Sequence, residues 1–440
     1  MSAVPQACDV VVIGGGPAGS LAATYLAAKG YAVTLLERQK HPRYQVGESL
    51  LPDVWKYCDA AGATDAIAAE GFVRKAGGSV DWNGSMRRLS FRDFGYTRPA
   101  LHVERDRFDF LLLERARASG ARVGEEIAAL QADFSRAEDG EVTVLYRPVG
   151  ESGESPIRCR YVVDASGQTG VVSRQLGLRM FDEGFRFMSV WGYFDNSSYL
   201  AADGLVYPAQ RVRDVAPTTY VSALPQGDGW AWLWHIILRE TTSVGLVIPI
   251  AWAHETKTAG ESWEAWFLRQ CEALPLLQRL LAQATFRKDS VRLIRNYSYR
   301  SRRVAGPGYF LIGDAAGFVD PIFSVGVVFG MYSAYAAAHT IDRCFRQGSR
   351  REHHRSIFSA QIEARLELSR SLALPYYQDA GLGHAQAREA MAFSSVQAQA
   401  LMCAASKLTD RSGNFDAMVD SPDALQAATE RVRPLRNPLD

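Results

Sequence analysis

The sequence predicts an α/β chain: a parallel sheet of nucleotide-binding type, an inserted antiparallel sheet and a helical C-terminal segment. Three observations predict it. The apolar run Val10 to Ile13 leads straight into Gly14-x-Gly16-x-x-Gly19 and a helical pattern (Leu21, Leu26, Ala27). A second apolar run, Ala32 to Leu36, ends in Glu37. From about 181 to 300, aromatic-rich alternating strands separated by Gly, Pro and Asp turns take over.

The glycine run follows from what a nucleotide needs. Gly14 permits a tight turn, Gly16 lets backbone approach a pyrophosphate, and Gly19 lets helix and strand pack closely. With Ala18, these residues bring a helix N-terminus to the phosphate charge. Glu37 stands about 20 residues on, where an acid holds a ribose hydroxyl pair, with Arg38 beside it. A glycine-rich turn without a ligand is the alternative, but strand, glycines, helix, strand and acid in register favour a Rossmann-type dinucleotide site.

A loop follows, His41 to Ser49, and then a helix from near Pro52. Residues 72–99 read as a strand pair, and Arg105 opens a helix that ends at Gly120. Short strands are expected near 121–130, 141–147 and 157–163, the last running into Asp164-Ala-Ser-Gly167. Within 181–300 one amphipathic helix, about 261–283, is expected. The run Tyr309 to Ile312 then returns to a buried strand, followed by Gly313-Asp314, Pro321 and a helix over about 325–346. Residues 350–410 read as helical with a basic start, and 411–440 as irregular. These patterns divide the chain into a nucleotide domain (1–75, 100–180, 301–346), a substrate domain (76–99, 181–300) and a C-terminal helical segment (347–440).

Composition narrows the class. The 440 residues carry a net charge of +1, which points away from nucleic acid and anionic membranes as partners. Six scattered cysteines (Cys8, Cys58, Cys159, Cys271, Cys344, Cys403) show no CxxC or metal-type spacing, so no metal site is expected, and they fit reduced thiols in the cytoplasm. No signal peptide and no run long enough to span a membrane is read.

GxGxxG, Arg105 at the start of a mid-chain helix, and Gly313-Asp314 before a late helix form a set of segments at characteristic intervals. The set resembles the FAD-binding fold of single-Rossmann flavoprotein monooxygenases, geranylgeranyl reductases and flavin-dependent halogenases, over roughly 9–345. The resemblance implies FAD as cofactor. Gly14, Gly16, Gly19 and Glu37 would hold its ADP half, Arg105 would lie near the pyrophosphate, and Asp314 would bind the ribityl chain. Asp164 matches the family's second fingerprint, Pro321 and Phe323 would shape backbone beneath the flavin, and the helix after Gly326 would point at the isoalloxazine. An ionised acid at a turn is a strong acceptor for hydroxyls in any case.

The sequence is most similar to the halogenase branch. Val46-Gly47-Glu48-Ser49 matches that branch's loop, with Glu48 and Ser49 near the flavin. Lys75 falls where halogenases place the lysine that receives or orients hypohalous acid; an ordinary surface lysine is the alternative. Trp232-Leu-Trp234-His235-Ile236 matches the WxWxIP motif, except that Ile237 replaces its proline. Trp232 and Trp234 would screen substrate from flavin, or simply pack a strand core. His235, out of phase with them, is expected as a satisfied histidine on the opposite face. Val325 stands where a hydroxyl residue usually lies beside the halide.

The first functional reading is an FAD-dependent monooxygenase that hydroxylates an electron-rich indole or phenol through a flavin C4a-hydroperoxide. The substrate side would be formed by Trp191, Tyr193, Tyr220, Trp232 and Trp234. The substrate would be free, carrier-tethered or a peptidyl tryptophan, and a flavin reductase or NAD(P)H would supply electrons. The alternative is halogenation through Lys75, since Ile237 and Val325 depart from the halide motifs. A geranylgeranyl-type reductase and a non-catalytic FAD scaffold complete the set.

Overall fold

The computed structural model describes residues 4–373 apart from 83–84, 184 and 227–228. The expected segments beyond 373, with Cys403, lie outside the described residues.

Val10–Ile13 is the middle of a six-stranded sheet. It pairs in parallel with Val33–Glu37 on one side and Tyr161–Asp164 on the other. Tyr309–Leu311 and Arg122–Glu125 extend the sheet in parallel, and Ala305–Gly306 closes one edge antiparallel. A strand flanked on both edges and both faces has no solvent side, so all four residues are apolar and at most 3% exposed. The helix Pro17–Ala28 packs against Arg105–Ala118 and Gly326–Arg346. Small residues permit this: a methyl added at Gly313 or Gly330 would come within 3.3 Å of the Ala18 Cβ. The helix Arg351–Ala373 packs on Gly326–Arg346.

Two of the three strands expected over 121–163 each divide. Arg122–Glu125 and Ile127–Asp133 enter different sheets, separated by left-handed Glu126 (φ 59°). Ser155–Cys159 and Tyr161–Asp164 do the same, the former joining Val142–Pro148 and Ile127–Asp133 in a separate antiparallel sheet.

The second large sheet runs through Phe187–Asp195, Thr242–Pro249, Gly229–Ile237, Thr218–Gln226, Gly77–Trp82 and Ser85–Ser90. It is not wholly antiparallel, as the sequence suggested. Gly77–Trp82 pairs in parallel with Thr218–Gln226, because it arrives from a distant part of the chain rather than through a hairpin. The single helix expected over 261–283 is also corrected. Ile250–Thr256, Trp263–Cys271 and Pro275–Leu281 are three helices, and Pro275 begins a helix where its missing N–H is harmless.

Alternation along these strands sorts their side chains onto two faces. Met188, Val190, Tyr220, Leu233 and Leu246 pack with Trp266 and Phe267 of the helices. Trp191, Val221, Trp232, Trp234 and Val247 pack with Ile322 and Phe323, just before the helix Gly326–Arg346. Full burial of side chains this size stabilises by about 2–3 kcal/mol each, so both faces are firmly fixed. Among the described residues, no helix is long and apolar enough to cross a membrane.

Candidate active site

The glycine loop has the geometry expected of it. Gly14 sits at φ +103°, and a methyl there would lie 2.5 Å from the Ala165 carbonyl oxygen; a methyl at Gly19 would collide with the Gly14 carbonyl. Gly16 is the N-cap of Pro17–Ala28 and makes no side-chain cap, so the first helical N–H groups have no side-chain acceptor there. Glu37 accepts from the Gly15 N–H at 2.6 Å and the Gln39 N–H at 2.8 Å. Arg38 is exposed beside it.

Arg105 is held rigidly. Its Nε and Nη2 donate to Asp109 at 2.8 and 3.0 Å, and its Nη1 donates to the Val46 carbonyl at 2.6 Å. Arg43 shares the same carboxylate at 2.7 Å and lies 3.5 Å from where a Gly16 Cβ would stand. Burial pushes the Asp109 carboxyl up, but the two guanidiniums outweigh it and hold it below the usual range. Arg43 and Asp109 were missed in the sequence, where nothing local marks them.

Asp314 begins the turn after Tyr309–Leu311, at left-handed Gly313 (φ +53°). Burial pushes its carboxyl up to about 6, against the pull of Arg105 and Arg179. No described residue donates a hydrogen bond to this carboxylate, and none accepts one from the buried Nε and Nη2 of Arg179, whose guanidinium lies 3.9 Å over the Tyr299 ring. An unmet acceptor and unmet donors beside an open glycine loop fit a ligand rich in hydroxyls and phosphates, as FAD is. Asp164 is differently employed. It accepts from Ser166 N–H and Oγ and from Val172 N–H, at 3.0, 2.6 and 2.8 Å, and so organises the turn beside Gly14.

Lys75 is 3% exposed, which sets aside the surface-lysine alternative. Its strand Val73–Lys75 pairs with Ala100–His102. Its Nζ donates to Ser49 Oγ at 2.8 Å and to the Leu50 carbonyl at 3.3 Å, and lies 5.3 Å over the Phe91 ring. A hydrogen-bonded chain continues from Ser49 to Thr219 Oγ1 (2.9 Å), His102 Nε2 (2.9 Å) and, from His102 Nδ1, the Ile237 carbonyl (2.9 Å). Ser324 also donates to Ser49, at 3.0 Å. Hydrogen counting assigns every direction. A carbonyl only accepts, so His102 Nδ1 carries the proton and Nε2 accepts from Thr219. Thr219 then accepts from Ser49, whose oxygen accepts from Lys75 and Ser324. Burial, and then the Lys75 charge, hold His102 neutral. Ser324 itself is left-handed (φ 57°), an uncommon conformation for a residue with a side chain.

The tryptophans lie between sheet and turn. Trp191, Trp234 and Trp232 follow one another at centroid separations of 6.4 and 6.0 Å, and Trp234 Nε1 donates to Ser243 Oγ at 3.1 Å. Gly245 makes room for the Trp234 ring. A second chain runs from Trp191 Nε1 to Tyr44 (2.6 Å), Tyr193 (3.0 Å) and Glu48 Oε1 (2.5 Å). Glu48 is buried, and burial pushes its carboxyl up. Pro321 accepts from the Ser324 N–H, closing the turn that precedes Gly326, the first residue of the long helix. Tyr220 does not join this wall: its phase along the strand turns it to the helix-covered face. His235, as expected, is on that face too, bonded to Ser197 Oγ at 2.9 Å.

A cavity of about 1210 Å³ adjoins Lys75 on the side of Phe72, Phe91, Tyr96 and Tyr207. It is large enough for an aromatic substrate.

The FAD binding domain family matches residues 7–356. The chain is 39% identical over 345 residues to the tryptophan 2-halogenase of Chondromyces crocatus, covering 77% of this chain and 62% of that protein. It is 31% identical to the flavin-dependent halogenase armH3 of Armillaria mellea, over 82% of this chain and 72% of that protein. The structure of the myxobacterial chondrochloren halogenase CndH superposes with a TM-score of 0.74 at 31% identity, covering 87% of this chain and 86% of that one. The chain spans 62% and 65% of the lengths of the tryptophan 2-halogenase and of the Armillaria halogenase armH5. The family match over most of the chain defines an FAD-binding flavoprotein. The chain belongs to the flavin-dependent halogenase-like branch of the FAD monooxygenase superfamily.

Proposed function

We propose that this chain halogenates an electron-rich arene of indole or phenol type, with Lys75 as the catalytic residue that holds the oxidant. The observation that carries the reading is the Lys75 ammonium, buried between the Ser324 turn and a cavity lined by aromatic side chains. Gly14, Gly16, Ala18, Gly19, Glu37 and Arg38 would hold the ADP half of FAD. Arg105 and Asp314 would meet its pyrophosphate and ribityl chain, and Glu48, Ser49, Pro321 and Gly326 would stand near the ring. Held by these residues, FAD would supply the redox chemistry that generates hypohalous acid from O₂ and halide.

At Lys75 the ammonium donates a hydrogen bond to the oxygen of hypohalous acid, which makes hydroxide a better leaving group. The arene attacks the halogen; a carbon–halogen bond forms as the oxygen–halogen bond breaks. The departing hydroxide takes a proton from Lys75, and the proton lost from the ring replaces it. The sum is ArH + HOX → ArX + H₂O. Trp232 and Trp234 keep the arene from the flavin side. Electrons come from a flavin reductase or NAD(P)H, and scattered cysteines, free where described, suit a cytoplasmic setting.

Halogenation takes precedence over hydroxylation of a peptidyl tryptophan because the matching relatives are named as halogenases. Hydroxylation remains a second reading on one observation: Val325 offers the halide no hydroxyl. The test is turnover of indoles, phenols and pyrroles with a reductase and NADH, with and without bromide, read by mass spectrometry. A bromine isotope pair that vanishes in Lys75→Ala supports halogenation. Addition of oxygen, indifferent to halide, overturns it in favour of the hydroxylase.

A further inference from the structure

We infer that the cavity beside Lys75 binds an arene carrying an anionic group, and that Arg74, Arg92 and Arg213 meet that charge. The inference rests on the reading of this cavity as the substrate chamber. Three separate segments bring the arginines to it: the strand Val73–Lys75, the turn Phe91–Phe94 and the loop that precedes Thr218–Gln226. All three are exposed, whereas Lys75 is 3% exposed, so the cations stand at the rim and the ammonium at the inner end.

What distinguishes these three is that their guanidiniums have no partner among the described residues. Other arginines on the same cavity are committed: Arg98 to Asp59 at 2.7 Å, and Arg239 to Glu104 and Glu70 at 2.9 and 3.2 Å. The acids of the cavity are committed as well. Glu70 is shared by Arg107 and Arg239, Asp214 lies 3.3 Å from Arg211, and Asp203 accepts from Tyr207 Oη at 2.7 Å and Leu205 N–H at 2.9 Å. Among the described residues, none makes an ion pair or hydrogen bond with the guanidinium of Arg74, Arg92 or Arg213; Arg92 donates only its main-chain N–H, to Ser90 Oγ at 3.3 Å. Asp203 keeps its charge, since its partners are neutral, so three guanidiniums against one carboxylate leave the rim positive.

Guanidinium forks match a carboxylate or phosphate in two parallel hydrogen bonds. Aromatic side chains deeper in the cavity would take the ring of the same molecule, leaving its reactive carbon toward Lys75. The proposal thus gives the arginines a positioning role: they select the substrate by its charged end and take no part in halogen transfer.

The test is equilibrium binding of matched arenes to the FAD-loaded protein by calorimetry. Indole-3-acetate and 4-hydroxyphenylacetate are compared with their primary amides, and phenyl phosphate with phenol, at low and high salt. The expected result is that each anion binds about tenfold or more tightly than its neutral match at low salt, with the margin shrinking in salt. The two carboxylates against the phosphate show which anion is preferred. In the R74Q/R92Q/R213Q variant the margin should vanish while flavin absorbance per protein stays unchanged. Equal binding of acid and amide, a margin that survives the triple variant, or no binding of any pair overturns the proposal. Bound anions that are never halogenated would instead overturn the assigned reaction and leave the binding site standing.

Discussion

The ammonium of Lys75 lies 2.8 Å from the hydroxyl oxygen of Ser49, a residue 26 positions earlier. Ser49 is the junction at which Lys75, Thr219 and Ser324 meet. Ser49→Ala therefore leaves a buried ammonium short of an acceptor. It should lower kcat at saturating halide about tenfold or more, and lower stability by about 1–3 kcal/mol in urea titrations. Retention of full activity would separate Lys75 from the serine junction.

Asp314 is strained electrostatically in the absence of a ligand. Its folded pKa, about 6, lies above the usual aspartate value of 3.8, so burial of the ionised form opposes folding increasingly from pH 3.8 and fully above about 6. The difference corresponds to about 3 kcal/mol at most at neutral pH. Asp314→Asn should raise the melting temperature of flavin-free protein while weakening FAD binding about tenfold or more. Absorbance titration and calorimetry check the two effects separately.

His235 works in the opposite pH direction. Burial lowers its pKa from 6.5 to about 4, so the folded state excludes a proton that the unfolded chain takes up. Its contribution is intact above pH 6.5 and is lost as pH falls toward 4, by about 3 kcal/mol in all. His102, lowered in the same direction, steepens the same fall. Urea midpoints between pH 7.5 and 4.5 should decline, and His235→Gln should flatten the slope.

Gly245 lies under the Trp234 ring, where a methyl would collide with the indole. Gly245→Ala should destabilise by about 1–3 kcal/mol and tilt that ring. Expected outcomes are a changed tryptophan emission spectrum and a changed ratio of product regioisomers, with FAD content unaltered.

Val325 is the N-cap of Gly326–Arg346 and carries no capping group. Val325→Thr supplies a hydroxyl both to the helix N-terminus and to an anion beside it. The bromide concentration for half-maximal turnover should fall about fivefold, and stability should rise by about 1 kcal/mol. Unchanged halide dependence would place the halide elsewhere.

What was legible in the sequence was local. Gly14, Gly16, Gly19 and Glu37 announce themselves because strand, turn, helix and acid lie within thirty residues and each has its own backbone requirement. The Lys75 environment was not legible, because its partners come from Ser49, Phe91, His102, Thr219 and Ser324, joined only by folding. Lys75 itself was found through family resemblance; three residues of strand carry no periodic signal. Tyr220 was assigned to the wrong face because aromatic character does not reveal phase along a strand, whereas pairing with Gly229–Ile237 does. The break at Pro275 is local, since a proline fits the start of a helix and not its interior.

The parallel pairing of Gly77–Trp82 with Thr218–Gln226 acts as a ruler. Lys75 is two residues from that strand, and Ala76 is tied at both main-chain groups, to the Pro217 carbonyl at 2.8 Å and the Phe91 N–H at 3.1 Å. The Trp232 strand is the next one over, in register with Thr218–Gln226. The separation between ammonium and indole wall is thus measured out in peptide units, not in side chains. A substitution among the rim arginines therefore leaves the spacing between Lys75 and Trp232 unchanged, because none of those side chains enters the strand pairing that sets it.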